Sequence, residues 1–151
     1  MQKVKIMISF YVPSDEYGFM SNFSPHGFTI DAVYWPTAEH FFQAQKFAGS
    51  EYAERIRSVR TPGEAKNLGL TRKIPIRPDW DEVKIEVMRQ AVFAKFNANE
   101  DLRDRLLATG DQEIVENAPG DTFWGCGKFG DGLNWLGKIL MECRSQLREQ
   151  Q

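Results

Sequence analysis

Residues 35–47 are Trp35-Pro36-Thr37-Ala38-Glu39-His40-Phe41-Phe42-Gln43-Ala44-Gln45-Lys46-Phe47. The Pro-Thr pair marks a helix start with Thr37 as the N-cap, and the helix is predicted to end near Ala48. At 100° per residue, Glu39, Gln43 and Lys46 fall within about 60° of each other, and apolar side chains lie on the far side. The stretch therefore predicts a helix with one face that carries a carboxylate, an amide and an amine.

Further helix signals follow towards the C-terminus. Ser50 is a second N-cap, and Thr61-Pro62-Gly63-Glu64 is a capping box with proline at the first helical position. Gly69 and Gly110 stand where helices should end. The additional helices are predicted over residues 50–58, 61–69, 79–97, 99–109 and 133–148. Together with the first one, they give about six helices.

Strand signals are fewer. Val4 to Tyr11 alternates apolar and polar residues, Phe28 to Tyr34 is a shorter candidate, and Gln112 to Asn117 is a third. Residues 17–27 and 118–132 are rich in turn formers and are predicted loops. With 151 residues, one domain over 1–151 is the default. The sequence thus predicts a mainly α, minor α+β fold, a single compact domain with a small N-terminal β element.

The overall charge and the cysteines limit the function classes. A net charge of −2 argues against a protein that mainly holds duplex DNA or an anionic membrane, since both need a strongly basic face. The two cysteines form no C-x-x-C pair, and two histidines add no zinc-ligand spacing. No apolar run approaches the ~20 residues of a membrane span, and the first ten residues do not resemble a signal peptide. We expect a cytoplasmic protein without a metal, an organic cofactor or a membrane partner.

Two interpretations of the polar helix face are open. Glu39 beside Lys46 is suited to acid/base chemistry, because a carboxylate can control the charge of a neighbouring amine. Alternatively, Glu39 complements the helix dipole in the first turn and Lys46 is a solvated surface lysine. His40, at the start of the same helix, is interpreted as a packing residue.

A glycine-rich loop runs from Asp121 to Gly130. It formally matches G-x-G-x-x-G, but it lies too near the C-terminus for a second strand and an acidic residue to follow, so a dinucleotide site is rejected. Asp121 is suited to bind a sugar hydroxyl or a base edge, or else to cap its own turn. Cys126 in this loop has no suggested partner and is interpreted as an incidental thiol.

Four other residues are candidates for ligand binding. Trp80, between two aspartates at a helix start, is suited to stack on a base but is equally suited to the edge of the core. Arg72 and Arg77, with Lys73, form a modest basic cluster that suits one phosphate, or a set of solvated loop charges.

Motifs in the same order along nearly the whole chain resemble those of the NADAR family, especially its short bacterial members of the YbiA type. The E-H-x-x-Q-A-x-K helix followed by the D-x-x-W-G loop is the most specific part. The matching segments include Ser21-Asn22-Phe23, residues 35–47, Thr61-Pro62, Asp79-Trp80, Ala94-Lys95-Phe96, residues 106–110 and Asp121 with Phe123-Trp124-Gly125.

The resemblance implies an N-glycosidase that hydrolyses ribosylamino-pyrimidine 5'-phosphates of riboflavin synthesis to ribose 5-phosphate and an amine base. It assigns functional positions to Glu39, Lys46, Trp80, Asp121 and Trp124, and more weakly to Asn22. We predict Glu39, Lys46 and Asp121 as catalytic. The predicted substrate-binding residues are Asn22, Gln43, Trp80, Trp124, Arg72 and Arg77.

One position departs from the family pattern, and two other functions compete. Family members often have a basic residue after the glycine at position 69, but this chain has Leu70, which leaves Arg72, Lys73 and Arg77 as phosphate candidates. Other members remove ADP-ribose from modified guanine, so an ADP-ribosylated nucleobase is the alternative substrate. A non-catalytic module that binds ADP-ribose or a nucleotide is the second alternative.

Overall fold

The structure is a computed structural model that describes residues 7–151. These residues form six α-helices, four short strands and one 3-10 turn at Gly18–Met20. The strands are β1 (Met7–Phe10), β2 (Phe28–Ile30), β3 (Val33–Trp35) and β4 (Glu113–Glu116). The helices are α1 (Ala38–Gln45), α2 (Glu51–Ser58), α3 (Pro62–Gly69), α4 (Trp80–Ala98), α5 (Glu100–Leu107) and α6 (Trp135–Glu149). The mainly helical fold is confirmed, and the predicted strand residues Val4 to Ile6 lie outside the described part.

The contacts divide the chain into two compact units, one from Asn22 to Ala98 and one that combines the chain up to Ser21 with Asn99 onwards. The first is called the central unit and the second the terminal unit. The assignment of both to one domain stays a prediction. No helix within residues 7–151 is both long and apolar enough to cross a bilayer.

Helix α1 is the core of the central unit. It packs against α2, α3, α4 and β3, and every residue from Ala38 to Ala44 is buried. Thr37 caps it as predicted, since its side chain accepts a hydrogen bond from the His40 backbone N–H at 3.1 Å. Because α1 is buried all round, its polar face is also enclosed.

The predicted strand at residues 28–34 is two strands. β2 and β3 pair antiparallel, with Phe28 opposite Trp35 and Ile30 opposite Val33. Asp31 and Ala32 between them have φ values of 51° and 66°. Two successive left-handed residues make the tight turn that suits the twist of a hairpin. Apolar patterning alone did not show this turn, because alanine is an unusual residue at such a position.

The terminal unit is built on a parallel pair of strands. β1 pairs with β4 in the register Met7–Glu113 to Phe10–Glu116, and α6 packs on β4 and α5. One face of α6 is apolar and lies in the core, because Leu136, Ile139, Leu140, Cys143 and Leu147 are all buried. The loop from Asn117 to Asn134 joins β4 to α6.

Candidate active site

The polar face of α1 lies in the interior of the central unit. Gln43 Nε2 donates a hydrogen bond to Glu39 Oε1 at 2.8 Å, as the i,i+4 spacing predicts. The two side chains are only 4% and 7% exposed, respectively. A buried carboxylate needs such a donor, because its charge is costly without hydrogen bonds. Glu39 is therefore more than a solvated first-turn acid.

Lys46 follows directly after α1 and is half-buried. Its Nζ donates to the backbone O of Gly69 at 3.2 Å, where the carbonyls at the end of α3 attract a cation. Burial lowers the pKa of Lys46 most, the charge of Lys66 lowers it further, and Glu39 opposes both. The net direction is a pKa below that of an ordinary lysine. Because Lys46 is half-buried and donates to Gly69 O, it is not the fully solvated surface lysine of the alternative interpretation.

His40 is fully buried and holds two elements together. Its Nε2 lies 2.9 Å from Val59 O, at the end of α2, and its Nδ1 lies 2.7 Å from Thr37 Oγ1. Because a carbonyl only accepts, Nε2 carries the proton and donates it to Val59. Burial lowers the pKa of His40. The interpretation as a packing residue is confirmed.

Asn22 meets the start of α1. Its backbone O accepts from the Glu39 N–H at 3.1 Å, and its side-chain Nδ2 donates to Met88 Sδ at 3.3 Å. This backbone bond satisfies one of the free N–H groups of the first turn. Asn22 thus lies next to Glu39 in the fold, and its predicted role in substrate binding stays a prediction.

Trp80 is packed into the central unit. It is 7% exposed, and its ring centroid lies 5.1 Å from that of Phe42 at an angle of 56°. Of the two interpretations from sequence, this geometry favours the edge of the core. A stacking role would use only the small part of the ring that remains accessible.

The two candidate phosphate-binding arginines differ. Arg77 forms a forked pair with Asp79, with Nε to Oδ1 at 2.6 Å and Nη2 to Oδ2 at 2.9 Å. Its backbone N–H also donates to Lys46 O at 2.9 Å, which ties this loop to the end of α1. Arg72 is exposed. A phosphate that binds Arg77 would compete with Asp79 for its guanidinium group. A phosphate that binds Arg72 would not compete with Asp79.

Asp121 and Trp124 belong to the loop of the terminal unit. Asp121 Oδ1 accepts from the backbone N–H groups of Phe123 at 3.0 Å and Trp124 at 2.8 Å, so Asp121 caps its own turn as one interpretation held. Trp124 is half-buried and meets Phe123 edge-on, with ring centroids 4.8 Å apart.

The glycines of this loop allow its turns and one close backbone approach. Gly127 and Gly130 have φ values of 71° and 77°, which favour glycine because it lacks a side chain. A Cβ at Gly125 would approach Glu116 O to 2.9 Å. Gly125, Gly127 and Gly130 lie inside the long loop between β4 and α6, and not in the tight turn directly after a strand that a dinucleotide site requires.

Family membership follows from comparison of the sequence with known domains. The model of the NADAR domain matches residues 9–148. The chain belongs to the NADAR family. The match extends over both the central and the terminal unit, so this NADAR domain includes Glu39, Lys46, Asp121 and Trp124 alike.

Named relatives are similar over almost the full length. The chain is 50% identical to N-glycosidase Npun_R5314 of Nostoc punctiforme, over 93% of this chain and 92% of that protein. It is 47% identical to N-glycosidase YbiA of Escherichia coli, over 93% and 88%. A third relative, the chloroplastic riboflavin biosynthesis protein PYRR of Zea mays, is 40% identical over 93% of this chain but only 25% of its own length.

A solved structure has the same fold. The NMR structure of the E. coli protein YbiA superposes with a TM-score of 0.90 at 44% identity, over 99% of this chain and 89% of that one. The fold expected from the resemblance to the NADAR family is confirmed.

Two residues near Lys46 were not predicted as functional. Gly69 accepts from the Lys46 ammonium and adjoins the Gln43 amide, and Lys66 acts on the charge of Lys46. Both lie on α3 of this NADAR domain, and the polar face predicted on α1 does not indicate which residues of α3 pack beside it. The capping box before α3 predicted the helix, but no local signal showed which face of it meets α1.

Proposed function

We propose that this NADAR domain hydrolyses the N-glycosidic bond of ribosylamino-pyrimidine 5'-phosphates to ribose 5-phosphate and the free amine base. The chain is a hydrolase of N-glycosyl bonds, as its family and two relatives named N-glycosidase indicate. The maize relative named for riboflavin biosynthesis supports the choice of substrate. A phosphorylated riboside is also compatible with a net charge of −2, because it needs only one basic cluster.

The buried pair of Glu39 and Gln43 beside Lys46 is the observation that carries the proposal. Hydrolysis of an N-glycoside needs a group that exchanges protons with the leaving nitrogen and with water. Glu39 is an acid enclosed by protein, and Gln43 fixes one of its oxygens at 2.8 Å. A fixed orientation matters because proton transfer requires the donor within hydrogen-bond reach.

In the direct route, the protonated form of Glu39 delivers a proton to the glycosidic nitrogen as the C1–N bond breaks. The electron pair of that bond goes to the nitrogen, and positive charge develops at C1 and the ring oxygen. A water molecule then adds through its oxygen to C1 and gives a proton back to Glu39. The products are ribose 5-phosphate and the amine, and Glu39 returns to its starting state.

A covalent route uses Lys46 on a ring-opened substrate. In the ring-opened substrate C1 is doubly bonded to the base nitrogen, and the neutral Lys46 amine adds to C1. The two protons of Nζ pass to the base nitrogen, which leaves as the free amine, so that a Schiff base joins C1 to Nζ. Water then hydrolyses the Schiff base and frees Lys46. The lowered pKa of Lys46 supports this route, because it raises the neutral fraction of the amine.

The remaining predicted residues take binding roles. Trp124 is the better stacking candidate of the two tryptophans, since it is half-buried while Trp80 is 7% exposed. Stacking on a base contributes ~1–3 kcal/mol. Asn22 and Asp121 are proposed to contact the sugar or the base. Arg72 is proposed as the main phosphate contact.

The first test is to incubate the purified chain with the ribosylamino-pyrimidine 5'-phosphate and to measure released ribose 5-phosphate. We expect release by the wild type and a loss of about 100-fold or more with Glu39→Ala. Glu82→Ala is the matched control, because Glu82 is also a first-turn glutamate but is exposed.

Three outcomes separate the alternatives. Equal release by Glu39→Ala and the wild type would remove Glu39 from the reaction. No release by the wild type, together with release of ADP-ribose from ADP-ribosylated guanine, would favour the alternative substrate. Binding of ADP-ribose without any turnover would favour the non-catalytic module.

A further inference from the structure

Helix α3 passes α1 very closely at Gly69. This glycine is the last residue of α3, is buried, and is absent from the glycines with positive φ. The usual reason for a glycine at a helix end, a left-handed conformation, therefore does not apply. A Cβ at position 69 would overlap Gln43 Oε1 and lie 2.7 Å from Gln43 Cδ. The side chain of Gln43 occupies the space that any other residue would fill.

The Gln43 amide is held in an orientation that leaves one of its own atoms unsatisfied. Nε2 donates to Glu39, but Oε1 is buried without a hydrogen-bond partner among the described residues. A buried acceptor without a donor costs about 1–3 kcal/mol. The orientation of the Gln43 amide thus provides a hydrogen bond to Glu39 while Gln43 Oε1 accepts none. This orientation depends on the space beside Gly69.

Gly69 also contacts the other proposed catalytic group. Its backbone O accepts from Lys46 Nζ at 3.2 Å. The carbonyl belongs to the last turn of α3, where the helix dipole favours a cation. Gly69 therefore accepts a hydrogen bond from Lys46 through its backbone oxygen, and its lack of a side chain leaves the space that Gln43 occupies.

We propose that Gly69 is a positioning residue that aligns Glu39, through Gln43, and Lys46 at the same time. The inference rests on the proposed function, since it assigns Gly69 a role in that reaction. Gly69 does not touch the substrate in this role. It fixes the distance between α1 and α3 at which both polar groups keep their geometry.

The first test is Gly69→Ala. The added methyl group displaces the Gln43 amide from Glu39, and kcat should fall by about 10-fold to 100-fold, while KM changes by less than about threefold. Gly63→Ala in the same helix is the matched control, because a Cβ there meets nothing closer than Thr61 Oγ1 at 3.9 Å. Wild-type kcat in Gly69→Ala would overturn the proposal.

The second test separates positioning from a general loss of packing. In a Gln43→Ala background the amide is gone, and the nearest remaining atom of residue 43 is its Cβ, 3.0 Å from the added one. Most of the effect of Gly69→Ala on kcat should then disappear. An equal loss of kcat in both backgrounds would show that Gly69 acts independently of Gln43, and the proposal would be wrong.

A third measurement needs no substrate. The side-chain amide protons of Gln43, assigned by NMR through their loss in Gln43→Ala, should exchange slowly with water and shift in Glu39→Gln. In Gly69→Ala they should exchange fast, while Gly63→Ala keeps the slow exchange. If the wild type turns over no substrate, the proposed function fails, and this experiment still decides whether Gly69 positions Gln43. Unchanged exchange in Gly69→Ala would overturn the inference.

Discussion

Opposing electrostatic influences act on Lys46. Burial and the charge of Lys66 favour the neutral amine, whereas Glu39 favours the ammonium ion. The hydrogen bond to Gly69 O holds the nitrogen in place in either state, because both the amine and the ammonium can donate. The charge state of Lys46 is thus set by its burial, Lys66 and Glu39, whereas its position is set by Gly69.

The covalent route predicts a specific pH dependence. Since the pKa of Lys46 is lowered, the neutral fraction of the amine rises with pH and levels off at a lower pH than for an ordinary lysine. The rate should follow this rise, and borohydride should trap a sugar adduct on Lys46. Lys46→Arg should lose both the adduct and the rise, because arginine stays charged.

Lys128→Arg is the control for this prediction, because Lys128 is an exposed loop lysine. It should keep the wild-type profile and adduct. Mass spectrometry of the trapped protein locates the modified residue. Wild-type turnover by Lys46→Arg would leave the direct route through Glu39 as the mechanism.

Helix ends were more predictable than the contacts between elements. The caps at Thr37, Ser50 and Thr61 each accept a backbone N–H as expected, because capping depends on residues only two or three positions apart. The parallel pairing of β1 with β4 joins Met7–Phe10 to Glu113–Glu116, two segments that are far apart in the sequence, and no local pattern indicates it. The hairpin at Asp31 and Ala32 was missed for a different reason, since its turn lacks the usual glycine or asparagine.

The same contrast holds for the candidate site. The contact of Glu39 with Gln43 was predictable because both lie on α1 at i,i+4 spacing. The contacts of Gly69 with Lys46 and Gln43 were not, because they depend on how α3 packs against α1. The pairing of Arg77 with Asp79 joins residues two positions apart, but the two interpretations from sequence were a phosphate ligand and a solvated loop charge, and neither included Asp79.

At the scale of elements, His40 should make the stability of the protein depend on pH. It links α1 to the end of α2 as a neutral ring, and its pKa is lowered by burial. The unfolded chain therefore binds a proton more readily than the folded one. The contribution of the neutral His40 ring to the free energy of unfolding is fully present above the pKa of about 6.5 that His40 has in the unfolded chain. It is lost as the pH falls through the lower pKa that His40 has in the folded protein.

Urea unfolding of the wild type and His40→Gln near pH 7 and near pH 5 tests this prediction. Glutamine can still donate to Val59 O but has no proton to gain in this range. The wild type should lose more free energy of unfolding between the two pH values than His40→Gln. Equal losses would mean that ionisable groups other than His40 cause the acid sensitivity.

For the whole molecule, the distribution of charge bears on the class of substrate. The net charge is −2, and several arginines on the described part of the chain are already paired with carboxylates. Such pairs are Arg57–Glu54, Arg77–Asp79, Arg89–Glu86 and Arg148–Asp111. Paired arginines contribute little to a continuous positive field, which a long polyanion needs more than a single phosphate does.

Binding of a small substrate and binding of a nucleic acid should therefore depend differently on salt concentration. Each phosphate contact of a protein with single-stranded nucleic acid adds about −0.7 to the slope of log K against log salt concentration. We expect weak binding of a labelled single-stranded oligonucleotide, with a slope of about one contact or less, as measured by fluorescence anisotropy.

For the ribosylamino-pyrimidine 5'-phosphate, kcat/KM should change little over the same salt range, because one local contact is little affected by distant charges. A steep slope with the oligonucleotide, reduced by Arg72→Ala, would instead identify a surface for several phosphates and favour ADP-ribosylated guanine in nucleic acid as the substrate.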